Sequence, residues 1–100
     1  MYIALFGCGR TGSSGDTLSA FDWVRLNYQS PAVVNMSLGN SGSKSTDLAV
    51  NAVIDAGISV VTSGGNNGLS PKGKSPYACD YNPARVPNAI TVGNTNRWGQ

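Results

Sequence analysis

A serine nucleophile needs a base to take its hydroxyl proton, and this chain of 100 residues contains no histidine. Its serines therefore lack the usual activating partner. Three glycine- or serine-rich runs still have spacings that carry chemistry in other proteins. Gly7, Gly9 and Gly12 fit G-x-G-x-x-G directly after an apolar segment, the turn that sets a pyrophosphate on a helix N-terminus. Here the helix signal begins only near Asp16, and the next strand ends without the acidic residue that would hold a ribose. A glycine-rich surface loop is expected, with a dinucleotide-binding module of the NAD type as the alternative. Residues 68–75 fit the phosphate-loop pattern G-x-x-x-x-G-K-[ST], which must run from a strand straight into a helix. Asn66 and Asn67 before it, with Pro76 and Pro83 after it, leave no place for that helix.

Weaker patterns read in the same way. Ser41 and Lys44 fit S-x-x-K, but the serine precedes the next helix instead of opening it, and the companion motifs are missing. Asn35-Met36-Ser37 is a glycosylation sequon lying in a strand expected to be buried, where a glycan has no room. The spacing of Cys8 and Cys79 leaves open whether they pair with each other, pair elsewhere or stay reduced. Two cysteines without histidine are not expected to form a structural metal site.

The elements that must position these residues follow from periodicity. Residues 2–6 form a short apolar strand, followed by a Gly/Ser-rich loop over 7–15. Leu18, Phe21, Val24 and Tyr28 recur at helical spacing within residues 16–29, with Ser14 or Asp16 as the cap and Pro31 as the stop. Residues 32–38 form a continuous β-leaning run, the pattern of a strand buried on both faces. A second helix is expected over 47–56, capped by Ser45 or Thr46, with Leu48, Ala49, Ala52, Val53 and Ala56 on one face and Gly57 closing it. Residues 58–63 make the next strand, 64–87 a long surface loop, and 89–93 a short last strand. Strands alternating with helices predict an α/β fold: a parallel sheet of about four strands with two right-handed crossover helices, and ligands at the C-terminal strand ends.

Composition narrows the class. With 40% apolar and 12% charged residues, the chain suits one small globular domain and not a disordered segment. The seven basic residues are scattered and the net charge is only +2, so no nucleic-acid partner is expected. The apolar opening of residues 1–6 is too short for a signal peptide or a membrane span, so no membrane partner is expected.

Taken together, the strand ends carry a resemblance. Asn35-Met36-Ser37-Leu38-Gly39 and Ser63-Gly64-Gly65-Asn66 resemble segments of the subtilisin-like serine proteases. Ala78-Cys79-Asp80-Tyr81-Asn82-Pro83-Ala84-Arg85-Val86 is similar to the A-C-x-Y-x-P-A-R-V segment of the proteinase K type, and Ile90-Thr91-Val92-Gly93 to the strand that follows it. Upstream, residues 8–12 and Ala20-Phe21-Asp22-Trp23-Val24 resemble that family's L-x-C-x-G-x-G loop and A-G-x-D-W-V helix.

The resemblance implies that residues 1–100 are part of a subtilase catalytic domain acting on peptide or protein substrates, secreted by analogy with the family. It implies that Ser37, Leu38 and Gly39 pair with an extended substrate, which by β-addition needs an exposed backbone edge. It implies that Ser63, Gly64 and Gly65 wall the pocket for the residue before the cleaved bond. Asn66 would be the oxyanion-hole donor, whose fixed amide stabilises the charge that develops on the carbonyl oxygen. No cofactor is required; calcium would bind weakly through the carbonyls of Pro87 and Ala89. Each cysteine would have its partner outside this segment. The chain departs from the family pattern where alanine usually stands at Ser63 and Gly64, and residues 68–77 look like an insertion. No D-T-G, H-G-T-H or G-T-S-M-A motif occurs in it, so a fragment inactive alone is expected, from a truncated gene or an internal start, with a non-enzymatic interaction or pseudoenzyme domain as a further alternative.

Overall fold

The computed structural model describes residues 12–68 and 73–99. Helix α1 (Ser14–Asn27) starts at a capping box. Ser13 accepts from the Asp16 backbone N–H at 3.1 Å, while the Asp16 carboxylate accepts from the Ser13 N–H at 3.1 Å. The cap is thus Ser13, not Ser14 or Asp16, because only a serine three residues before an acidic residue satisfies two orphan donors reciprocally. The helix ends at Tyr28, ahead of Pro31, and the Tyr28 hydroxyl donates to the Ala56 carbonyl at 2.6 Å.

Strand β1 (Val33–Met36) leads through β2 (Asn40–Ser41) into α2 (Lys44–Asp55). Ser43 caps α2, accepting from Thr46 N–H at 3.2 Å, so this helix starts earlier than the apolar pattern indicates. Its buried face is Thr46, Val50 and Val53, and Leu48 points outward at 62% exposure. The expected face containing Leu48 is therefore rotated: positions 46, 50 and 53 lie on one stripe at four- and three-residue spacing, and 48 does not. Gly57, at φ 94°, turns the chain into β3 (Ser59–Ser63), a conformation that glycine adopts without a Cβ penalty.

The main sheet is parallel, in the order β1-β3-β5, with β5 spanning Ile90–Val92. Met36 lies opposite Thr62, and Ser63 opposite Val92. This is the expected α/β fold with a parallel sheet, with fewer strands among the described residues. The strand expected over residues 2–6 lies outside them. Both helices pack on one face, where Phe21, Val24, Val50 and Val53 meet Met36, Ile58, Val60 and Val86. Strand β1 is therefore not buried on both faces. Its residues alternate, with Met36 buried and Val33 68% exposed, since a single helical layer covers a single face.

Residues 64–87 are not only surface loop. A 3₁₀ turn, Ala78–Asp80, leads into β4 (Tyr81–Asn82), which pairs antiparallel with β2, Asn40 opposite Asn82. Asn82 and Val86 are buried. The segment returns to the start of α2 because buried polar groups at both places satisfy one another.

Candidate functional site

The register of β1 and β3 decides where the site lies. Ser37 follows Met36, and Ser63 follows Thr62, its partner, so the 37–39 and 63–66 segments emerge side by side at the C-terminal edge of the sheet. Ser37 is exposed and its hydroxyl accepts from the Asn35 amide at 3.3 Å. Leu38 is half-buried against the core, and Gly39 passes the Asn82 backbone, where a Cβ would sit 3.4 Å from the carbonyl oxygen. Gly64 donates its N–H to the Val92 carbonyl at 2.8 Å; a side chain there would come within 3.3 Å of that oxygen. Gly65 has φ 89°, the left-handed region, and Asn66 after it is exposed.

A cavity of about 400 Å³ adjoins this edge. Leu38, Gly39 and Asn40 form one wall, and Gly12, Ser13 and Thr17 at the start of α1 form the other. Among the described residues no charged side chain lines it, and those residues offer backbone groups, hydroxyls and small surfaces to an extended chain. The cavity is absent from the residue-level reading because it arises between segments more than twenty positions apart.

Behind the cavity wall stands a polar cluster that the motifs did not reveal. Arg85 donates from Nε to both carboxylate oxygens of Asp47, at 2.9 and 3.2 Å, and from Nη2 to Oδ2. Asn82, fully buried, donates its amide to Asp47 and accepts from the Ser43 backbone N–H. The Arg85 hydrogen bond holds the Asp47 carboxyl below the ordinary carboxylate range, with Asn82 adding to it against the opposing effect of burial. Arg85 is pushed up in turn by Asp47. The Asp47 carboxylate also lies in the first turn of α2, where it complements the helix dipole.

The remaining candidates separate. Of the G-x-G-x-x-G run only Gly12 is described, at the cavity rim; Gly7 and Gly9 lie outside the described residues. No helix follows the phosphate-loop pattern: residues 74–77 are irregular, and Ser75 bonds Asp80 through its hydroxyl. Asn35 and Ser37 of the sequon are both exposed, contrary to the buried strand expected, because among the described residues both helices pack on the opposite face of the sheet. Cys79 is exposed and unbridged among the described residues, and Cys8 lies outside them. Pro87 and Ala89 flank Asn88, whose amide is engaged with Asn51 at 3.1 Å. Among the described residues no three acidic, cysteine or histidine side chains converge as metal ligands. Calcium takes six to eight oxygens, so two carbonyls are part of a shell and not a complete one.

Comparison with known proteins gives this edge its context. The family model described as the subtilase family matches residues 1–99. The chain is 42% identical over 93 residues to the extracellular serine proteinase of Thermus sp. (strain Rt41A), covering 93% of this chain and 21% of that protein. It is 36% identical over 93 residues to alkaline serine exoprotease A of Vibrio alginolyticus, covering 93% of this chain and 16% of the relative. The crystal structure of a cold adapted subtilisin-like serine proteinase superposes with a TM-score of 0.80 at 37% identity, over 92% of this chain and 31% of that one. The chain thus spans about a fifth of the length of these sequence relatives. With a match along nearly its whole length and a parallel sheet that superposes on a solved relative, this chain belongs to the subtilase family.

Proposed function

We propose that this chain is part of a serine endopeptidase catalytic domain, carrying the substrate-pairing strand and the oxyanion-hole asparagine and inactive by itself. The observation that carries the reading is the side-by-side emergence of the 37–39 and 63–66 segments, with a cavity against Leu38 and Gly39. Ser37, Leu38 and Gly39 would pair with the backbone of an extended peptide, Gly39 leaving room for its approach. The backbone of Ser63, Gly64 and Gly65 would wall the pocket for the residue preceding the scissile bond. Asn66, exposed after the left-handed Gly65, would direct its amide at the carbonyl oxygen as charge develops there.

Inactivity follows from the composition, since a chain without histidine lacks the base that makes a serine nucleophilic. The substrate would be a peptide or protein, and secretion accords with a relative named as extracellular. Any calcium bound by the carbonyls of Pro87 and Ala89 would be held weakly.

Two measurements test this reading. The purified chain should release no chromophore from peptide p-nitroanilides above buffer; hydrolysis that co-elutes with the chain and is stopped by a serine-directed inhibitor overturns the inactivity. Titration of acetyl-Ala-Val-Ala-Leu-amide into the ¹⁵N-labelled chain should shift the Ser37, Leu38 and Gly39 amides saturably. Unmoved amides at millimolar peptide refute the substrate strand.

A further inference from the structure

The backbone that would receive the peptide is not held by the main sheet alone. Past Met36 the chain leaves its pairing with β3, and the next strand pairing it makes among the described residues is with Tyr81 and Asn82. Asn40 and Ser41 pair with Asn82 and Tyr81, and Gly42 N–H donates to the Asp80 carbonyl at 3.2 Å. The Ser43 N–H donates to the buried Asn82 amide oxygen. A Cβ at Gly42 would collide with the Arg85 guanidinium and lie 3.1 Å from the Asp80 carbonyl, so the loop lies directly on the cluster. Arg85 in turn clamps Asp47 through its guanidinium fork, and Asp47 fixes the amide of Asn82. A planar fork on a carboxylate constrains orientation as well as distance, which a single point charge does not.

We infer that Arg85 is a positioning residue for the peptide-binding edge: through Asp47 and Asn82 it fixes the loop from Asn40 to Ser43, and so the wall of the cavity beside Leu38 and Gly39. The inference rests on the reading of 37–39 as the substrate strand. It adds to that reading a residue that touches neither peptide nor reacting atoms. Without the fork, Asn82 loses its oriented carboxylate partner, the Ser43 N–H loses a fixed acceptor, and the edge has to be ordered by the peptide itself. Binding then includes an ordering cost that the intact chain has already met on folding.

The test uses the full 100-residue chain and the acetyl-Ala-Val-Ala-Leu-amide titration, followed at Leu38, Gly39 and Ser41, with urea midpoints measured in parallel. Arg85→Met is expected to raise Kd about tenfold, an edge-ordering loss. Asp47→Asn should do the same, and the double variant should be no worse than either single one, as for two parts of one device. Tyr28→Phe removes a hydrogen bond between the far ends of the two helices. It should lower the urea midpoint and leave Kd unchanged, separating positioning from stability. Should Arg85→Met fail to fold, Asp47→Asn, which keeps the side-chain shape, is read alone. If the intact chain binds and neither variant changes Kd, the inference is wrong and the substrate strand stands. If Tyr28→Phe weakens binding as much as Arg85→Met, the effect is general destabilisation and the inference is wrong again. If the intact chain does not bind, the functional reading falls and this inference with it.

Discussion

Replacing Asn82 by alanine should cost this small chain a large share of its stability. Its side chain is fully buried and makes two hydrogen bonds, accepting from the Ser43 N–H at the cap of α2 and donating to the ionised Asp47. A neutral hydrogen bond contributes about 0.5–1.5 kcal/mol net and one to a charged group about 1.5–3 kcal/mol, so their joint loss should cost about 2–4.5 kcal/mol. Asp47 keeps its Arg85 fork, and both side chains retain some exposure, 26% and 31%, which lets water replace part of the loss and favours the lower half of that range. Against a total of about 5–15 kcal/mol this is a substantial fraction. Urea unfolding followed by the fluorescence of Trp23 and Trp98 should show a midpoint drop of about 1–3 M, taking a slope of about 1–2 kcal/mol/M for a chain of this size. Asn88→Ala, which removes the exposed hydrogen bond to Asn51, should stay within about 0.5 kcal/mol. A drop for Asn82→Ala no larger than that of Asn88→Ala would show that the amide is replaceable by solvent and that the cluster does not hold the loop.

Three further outcomes are expected. The depressed carboxyl of Asp47 contributes stability that is fully present above the ordinary aspartate pKa, about 3.9, and is lost as pH falls through its lower folded value. Asp16, held down by Ser13, acts with the same sign; Arg85, raised by Asp47, has no effect in this range. Denaturation at pH 6 and pH 3 should therefore show a loss toward acid that is smaller in Asp47→Asn, and an equal loss in both would contradict the assignment. Gly65→Ala should destabilise the chain by about 1–2 kcal/mol, because φ 89° forces a side chain into the left-handed region although the space around it is open. An unchanged melting temperature would show that the turn relaxes freely. Cys79, exposed and unbridged among the described residues, should react with a thiol reagent in the native chain, read as one adduct on the peptide containing it. Protection of that peptide until reduction would reveal a disulfide.

The parts of the fold legible in the sequence were the local ones. Helical spacing of Phe21 and Val24, the Gly57 stop and the β-leaning runs at 32–38 and 58–63 each depend on residues a few positions apart, and both helices and all three strands of the main sheet overlap the stretches those patterns mark, with ends shifted by up to three residues. The catalytic family was legible as well, since motif residues at strand ends keep their order in one dimension. Details that require a choice between neighbours were not: Ser13 and Ser43 compete as caps with hydroxyls one to three positions away, and only the completed hydrogen bonds decide. Val33 and Asn35 are exposed because a β-leaning run does not tell how many layers cover a sheet, and Leu48 because apolarity alone does not fix which stripe of α2 faces the core. Only tertiary structure brings 80–85 back to α2. Closing that loop costs entropy that Asn82, Arg85 and the β2–β4 pairing offset, and none of these contacts has a spacing that sequence periodicity can register. The wall beside Leu38 and Gly39 is likewise decided in three dimensions, by side chains some forty residues downstream.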